Sequence, residues 1–277
     1  MKHLLLFIAA ITATAMISCG NTSHAGSASD STLCQFSNIN QQRLMQYSDE
    51  EGDTFYIDNK FTAFWPTVIN GKPCPNLQQA LLMALTDSAG LNSLDKAMDY
   101  LLKPGQYLEI DSNTVTTVQA IPEDYNKVSN SEVTIKLEDM NNRLMTYHIY
   151  TYDYMAGGAH GVYSNRYVTY DLKTEKAIAM SDVIADTTLL RSAILASIKQ
   201  NYDYSEDDLM LPDNGLLPLP GNFFFDGSAF HAVYQVYDIA SYAQGGIDAP
   251  IYPHMLKPEE IKRLYTPYGL ELIDYSE

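Results

Sequence analysis

The chain is poor in cysteine and in basic residues, and each shortage excludes a class of protein. Only 3 of the 277 residues are cysteines, too few for the disulfide-dense scaffolds of small secreted proteins. Lysine and arginine number 17 against 34 aspartates and glutamates, which gives a formal net charge of −17. Such a surface repels nucleic-acid phosphates, so we expect no nucleic-acid partner. Because no His/Cys spacing typical of zinc sites occurs, we predict neither a metal nor a cofactor.

Long apolar runs are also missing, except at the start of the chain. Residues 4–16 are apolar and follow a short basic start, but a membrane-spanning helix needs about 20 such residues. The run has the length of a secretory signal peptide. The sequence Met-Ile-Ser-Cys ending at Cys19 is similar to a lipobox, so we predict a lipoprotein signal peptide over residues 1–18 and lipidation of Cys19. The alternative is an ordinary signal peptide in which Cys19 has no role.

A small, polar stretch follows the predicted lipidation site. Residues 19–34 are predicted to form a flexible tether, because so few apolar side chains cannot offset the entropy lost on ordering. We expect the protein to be lipid-anchored in a bacterial cell envelope, on the periplasmic face of the outer membrane, since no acidic cluster follows Cys19. In that oxidising compartment, Cys34 and Cys74 are predicted to form one disulfide.

Residue patterns in the rest of the chain predict a fold of the α+β class. Aromatic and β-branched residues indicate strands over residues 54–57 and 61–68. Leucines recur at helical spacing over residues 77–85, with Asn76 as the expected N-cap. Period-two alternation predicts a hairpin that turns at Asn141. Further predicted elements are a helix over residues 94–102, a strand over residues 162–172, a helix capped by Asp186, a strand over residues 223–237 and a helix opening at Pro258. Helices and strands come in blocks, which favours an antiparallel sheet with packed helices.

The loop over residues 157–161 is the first candidate for function. Its sequence is Gly-Gly-Ala-His-Gly, and its glycines indicate positive φ angles or a close approach of backbone. His160 could act as a general base or a ligand, since imidazole titrates near neutral pH. The alternative is a bulged connection between strands in which His160 bonds to backbone or packs on a tyrosine.

Other candidate constellations are weaker. Ser228 lacks the second glycine of a nucleophile elbow, which argues against a serine hydrolase. The acidic residues between Asp203 and Asp213 could bind calcium but lack the spacing of a calcium loop, so a solvated turn is the simpler interpretation. Tyrosine is frequent, at 21 residues, and suits sugar stacking, protein interfaces or half-buried sheet positions.

Two spaced motifs resemble those of a known extracytoplasmic domain family. The first consists of Tyr154, the glycine loop, Asp171-Leu172 and Asp182-Val183-Ile184. The second consists of Val233-Tyr234, Tyr237, Ile239, Tyr242 and Gly245, ahead of Ile251 and Pro253. Together they are similar to the family named for RsiV-type anti-sigma factors and PdaC-type peptidoglycan deacetylases. This sequence departs from the family pattern at Glu175, Asp238 and Ser241.

The resemblance implies an organisation, a fold and a set of partners. It implies a small N-terminal α+β subdomain over residues 35–125 and a larger main domain over residues 126–277, with a fold related to an ATPase subdomain of heat-shock cognate proteins. In the family, the domain binds lysozyme in anti-sigma factors and accompanies a separate catalytic domain in deacetylases. The candidate ligand-binding residues are Tyr154, Gly158, His160, Gly161, Tyr237 and Tyr242.

These observations together predict a stand-alone envelope lipoprotein that binds or senses a ligand and is not an enzyme. The expected partners are a lysozyme-like protein or a peptidoglycan fragment, and the only expected contact with the membrane is through the N-terminal lipid. Two alternatives remain open. One is an envelope hydrolase that uses His160 with a nearby carboxylate, and the other is a structural or assembly lipoprotein without a small ligand.

Overall fold

A computed structural model describes residues 13–19, 32–86, 91–104, 110, 114–124 and 126–273, and within them the fold is α+β. The strands are β1 (Ala13–Cys19), β2 (Thr32–Ser48), β3 (Thr54–Ile69), β4 (Lys72–Pro73), β5 (Thr116–Thr117), β6 (Val128–Met140), β7 (Leu144–Tyr154), β8 (Val162–Asp171), β9 (Lys176–Ala177), β10 (Asn222–Phe225), β11 (Phe230–Tyr234) and β12 (Ile247–Ile251). The helices are α1 (Pro75–Thr86), α2 (Leu94–Leu101), α3 (Met180–Val183), α4 (Thr187–Tyr202), α5 (Pro258–Leu264) and α6 (Pro267–Leu272). None of these helices is long and apolar enough to cross a membrane.

The main sheet has the order β1-β2-β3-β6-β7-β8-β9, with the short strands β4 and β5 paired to β3 and β2. Its neighbours are antiparallel except β3 and β6, which run parallel. A parallel pair needs a long crossover connection, and α1 and α2 belong to it. The sheet therefore joins the two parts that the sequence divides at residue 125. Strands β10, β11 and β12 form a second antiparallel sheet.

The two faces of the main sheet pack against different layers. One face carries Ile135, Tyr147 and Ile149, which pack with α1 residues such as Leu77 and Leu81 in one hydrophobic core. Burying a side chain of this size stabilises the fold by about 1.5–3 kcal/mol. The opposite face meets the second sheet, which shares a second core with α4, α5 and α6. We call the first face the helix face.

Several local predictions are confirmed by hydrogen bonds. The Asn141 side-chain oxygen accepts from the backbone N–H of Arg143 and Leu144, at 2.8 and 2.7 Å, and closes the β6–β7 turn. Asp186 caps α4 by accepting from Thr188 and Leu189 N–H. Pro258 is the first residue of α5.

Other local predictions are wrong. Asn76 is not the N-cap of α1, because the helix already begins at Pro75, where the missing proline N–H costs nothing, and the Asn76 amide donates to the Glu175 carbonyl at 3.2 Å instead. Residues 223–237 form two strands rather than one, since Asp226 accepts N–H bonds from Ser228 and Ala229 and turns the chain. The long strand β2 was not predicted.

The predicted disulfide between Cys34 and Cys74 is also wrong, since Cys74 is a free, buried thiol. Cys34 lies on β2 and Cys74 directly follows β4, and these strands pair with opposite edges of β3. Two strand spacings separate their backbones by about 9–10 Å, beyond the roughly 7 Å that a disulfide spans. Burial raises the pKa of the Cys74 thiol to about 11, which keeps it protonated and unreactive.

The predicted leader and tether fall largely outside the described residues. Residues 1–12 and 20–31 lie outside them, as does the Cys19 side chain. Residues 13–19 form β1, which pairs antiparallel with β2, and residues 32–34 of the predicted tether belong to β2. The signal peptide and the lipidation of Cys19 stay predictions.

Candidate functional site

The helix face of the sheet changes from apolar to polar along β7. Met145, Tyr147 and Ile149 point to this face and are fully buried under the helical layer. The next two residues of the same parity are Thr151 and Asp153, which are only partly buried. Because side chains alternate between faces along a strand, all five lie in one row. The sheet therefore extends a polar surface beyond the part that the helices cover.

This polar surface is the floor of a cleft of about 680 Å³. That volume falls in the range of roughly 300–1,000 Å³ that small-molecule sites occupy. The floor consists of Asn59, Ser131, Thr151, Asp153, Ser164 and Arg166, and one wall consists of Leu85, Tyr100 and Leu101 at the ends of α1 and α2. The rim on the opposite side includes Tyr154, Met155, Gly158, His160 and Val162.

Strand register brings the floor residues together. Ser131 of β6 and Val162 of β8 lie on either side of Asp153, and Ser164 lies opposite Thr151. The hydroxyl oxygens of Thr151 and Ser164 are 2.8 Å apart and share a hydrogen bond. The Asn59 amide donates to the Lys103 carbonyl at 2.9 Å, which ties the chain after α2 to the floor.

Asp153 is the carboxylate of the cleft floor. Burial raises its pKa, and a hydrogen bond with Ser131 opposes the rise without cancelling it. In the described ranges, no lysine, arginine or histidine forms an ion pair with Asp153. A half-buried carboxylate that has no counter-ion but lines a cleft is a group that a cationic or hydrogen-bond-donating ligand would stabilise.

The glycine loop connects β7 to β8 at the mouth of the cleft. Gly157 has a φ of +75°, a conformation that glycine adopts without a steric penalty. The Gly158 N–H donates to the Met155 carbonyl at 2.9 Å, and the Tyr154 hydroxyl donates to the Gly158 carbonyl at 3.1 Å. The loop is therefore a hydrogen-bonded turn at the end of a hairpin, and it positions the rim.

His160 is held in place on this rim although it is exposed. Its ring stacks on Tyr242 with 4.0 Å between ring centroids. Because a carbonyl can only accept, Nδ1 of His160 must donate to the Gly161 carbonyl, at 3.0 Å. The Tyr242 hydroxyl donates to that same carbonyl at 2.7 Å. In the neutral ring, Nε2 is then the acceptor nitrogen.

The six predicted ligand-binding residues divide into three groups. Tyr154, Gly158 and His160 line the cleft. Gly161 and Tyr242 are not in the cleft lining but contact the His160 ring. The Gly161 carbonyl accepts a hydrogen bond from Nδ1, and the Tyr242 ring stacks on the imidazole. Tyr237, whose exposed fraction is 53%, lies 5.8 Å from Tyr242 between ring centroids and outside the cleft lining.

A second cluster of titratable groups lies at the second sheet. His231 is buried between Asp248, at 2.8 Å from Nδ1, and Asp226, at 3.1 Å from Nε2. Burial lowers the pKa of His231, but the two carboxylates outweigh burial and raise it overall. The Ser228 hydroxyl donates to Asp226 rather than facing His231, so no serine–histidine pair is formed. Within the described part of the chain, no group of three or more His, Cys, Asp or Glu side chains could hold a metal ion.

Sequence reasoning missed the floor of the cleft. The available signal was the alternation of side chains along β7. On one face of this strand, apolar Met145, Tyr147 and Ile149 are followed by polar Thr151 and Asp153. The contributions of Asn59 and Ser164 had no such signal, because they come from distant strands.

Two solved structures are similar in fold to this chain. One is a member of the DUF3298 family from Bacteroides fragilis NCTC 9343, with a TM-score of 0.57, 17% identity, and coverage of 86% of this chain and 95% of that one. The other is a DUF3298 family protein from Pseudomonas aeruginosa PAO1, with a TM-score of 0.53, 14% identity, and coverage of 86% and 96%. Neither description names an enzymatic activity. No family model matches the sequence, and no curated protein does.

Proposed function

We propose that this protein is a binding or sensing module of the bacterial cell envelope, and that the cleft on the helix face is its ligand site. The cleft itself carries the proposal. It joins a polar floor around Asp153, an apolar wall from the helix ends and an aromatic rim, which is the combination found in ligand sites. The partners named by the resemblance, a peptidoglycan fragment or a lysozyme-like protein, are the first ligands to test.

Calorimetric titration of the purified protein with muropeptides and with lysozyme tests the proposal. Val162→Trp is the informative variant, since Val162 is 51% exposed at the mouth and a tryptophan there would narrow the opening. Met83→Trp is the matched control, because Met83 is 55% exposed on α1 and does not line the cleft. We expect binding that Val162→Trp weakens and Met83→Trp leaves unchanged. If neither muropeptides nor lysozyme bind, both named partners are excluded. If the two variants bind equally well, the ligand site lies outside this cleft.

The envelope location is part of the same proposal and rests on the leader. Cleavage before Cys19 would remove β1 except for its last residue. Residues 32–38 of β2 would then lie at the sheet edge, while β2 stays paired with β3. Metabolic labelling with palmitate should mark the full-length chain and should fail with Cys19→Ser. Labelling of both forms would contradict lipidation at this cysteine.

A hydrolase is the second candidate, because His160 and Asp153 line the same cleft. His160 would act as the base through Nε2, the nitrogen that its bond to Gly161 leaves free. Turnover of glycan or ester substrates that His160→Ala abolishes would favour this candidate. Ligand binding without turnover would favour the binding module.

A further inference from the structure

The end of the cleft floor next to the glycine loop has acceptor oxygens arranged around one carboxylate. The two basic side chains of the lining are Lys103, which is exposed, and Arg166, whose guanidinium donates to the Ala84 carbonyl at 2.9 Å. Asp153 is flanked by Ser131, and the Thr151–Ser164 hydroxyl pair lies one step further along the same face. Each hydroxyl keeps lone pairs that can accept a hydrogen bond after its own proton is donated. With one carboxylate and no His/Cys/Asp/Glu group of three in the described residues, the floor offers too few charged ligands for a metal ion.

The rim adds apolar surface. Of the seven large hydrophobic side chains exposed in the described residues, three, Tyr100, Met155 and Val162, line this cleft. Exposed apolar groups gathered around a pocket indicate a contact surface for the apolar part of a ligand.

We propose that the cleft recognises a ligand through a primary ammonium group at the end of an apolar chain, with Asp153 as the charged acceptor. An ammonium group donates three hydrogen bonds. The Asp153 carboxylate and the hydroxyl oxygens of Ser131, Thr151 and Ser164 are available to accept them. The methylene chain then lies against Tyr100, Met155 and Val162. The inference rests on the proposed binding function and specifies its ligand class. That class is a lysine-like side chain with a free amine, as in the peptide part of a peptidoglycan fragment.

The test uses a probe pair that differs only in this charge. The tripeptide acetyl-Ala-Lys-Ala amide and its Nζ-acetylated form are titrated into the whole protein, and binding is followed by NMR chemical-shift changes. We expect the free amine to bind about tenfold more tightly, since a charge-assisted hydrogen bond is lost on acetylation. Asp153→Asn should abolish the difference.

The matched control is Glu132→Gln. Glu132 lies on β6 next to Ser131, is exposed, and points to the opposite face, so the variant removes the same unit of charge without touching the floor. Its preference for the free amine should equal that of the unmodified protein. Thermal unfolding of both variants checks that they are folded.

Three results would overturn the inference: equal binding of the two probes, no binding of the free amine, or an unchanged preference in Asp153→Asn. Failure of the proposed function is a separate result, because it is judged with muropeptides, lysozyme and the Val162→Trp variant. Muropeptides that bind equally well with blocked and free amines would leave the binding module intact and exclude the ammonium site.

Discussion

The hairpin of β7 and β8 has an aspartate near each end, and their surroundings are opposite. Asp171, at the end that meets α6, is completely buried, with the Arg143 guanidinium 2.8 Å away and a hydrogen bond of 2.7 Å from the Tyr268 hydroxyl. Burial alone would raise its pKa, but bonds from Tyr268, the Lys173 N–H, Arg143 and Thr174 lower it overall. Asp153, at the cleft end, has a pKa that burial raises. Its hydrogen bond with Ser131 opposes that rise without cancelling it.

The difference shows how one residue type can serve two purposes in one sheet. A buried carboxylate whose lone pairs are satisfied holds elements together, and here it joins β8 to the turn before β7 and to α6. A carboxylate without a counter-ion is destabilising in the free protein and gains stability when a ligand supplies the partner. We therefore assign Asp171 to stability and Asp153 to the proposed recognition of a ligand.

The strongest test of this difference between Asp171 and Asp153 is to replace each aspartate with asparagine. Asp171→Asn removes the closer of the two carboxylates beside Arg143 and leaves its guanidinium with Glu271, at 3.8 Å, so the free energy of unfolding should fall by about 3 kcal/mol. Asp153→Asn removes a charge that forms no ion pair with a described residue, and it should leave the free energy of unfolding unchanged or slightly higher. Chemical denaturation at pH 7 measures both. Similar losses in the two variants would contradict the assignment.

A glycine near each end offers a second, smaller contrast. A Cβ at Gly269 of α6 would collide with the backbone of Val183, which cannot move easily, so Gly269→Ala should cost about 1–3 kcal/mol of unfolding free energy. A Cβ at Gly161 would collide with the ring of Tyr152, a partly exposed side chain that can rotate away. Gly161→Ala should therefore cost less, and denaturation curves that rank the two in the opposite order would contradict this.

Acid should act in opposite directions on the two carboxylates. The pKa of Asp171 is lowered by folding, so its contribution to stability is present above the unfolded value, about 3.9, and is lost as pH falls through the folded value. The pKa of Asp153 is raised, so its ionised form opposes folding at neutral pH and that penalty disappears on acidification. Stability measured from pH 7 to pH 2 should fall less steeply in Asp171→Asn than in the unmodified protein. An equal fall would mean that Asp171 is not the titrating group.

The smallest expected effect concerns Ser131. Its hydrogen bond lowers the pKa of Asp153 against the effect of burial, so Ser131→Ala should raise that pKa further while changing the free energy of unfolding by only about 1 kcal/mol. Carboxyl-carbon NMR titration of Asp153 detects the shift. The Thr151–Ser164 pair is the control, since Ser164→Ala leaves the Ser131 bond in place and should move the pKa of Asp153 less.

Part of the cleft could be predicted from the sequence and part could not. The glycine loop and His160 were predicted because three glycines in five residues mark a special backbone locally. Asp153 could have been found from the alternation of β7. Asn59, Ser131 and Ser164 could not, because they reach the floor only through the pairing of β3 with β6 and of β7 with β8.

What the sequence determined by itself is local: the α+β class from periodicity, the β6–β7 turn from Asn141, and the α4 and α5 starts from Asp186 and Pro258. These features depend on hydrogen bonds and backbone preferences within a few residues. Only the tertiary structure decided that β3 separates Cys34 from Cys74, and that the helices end short of the polar rows of the sheet. Strand order and helix placement set those relations, since they bring together side chains that are far apart in the chain.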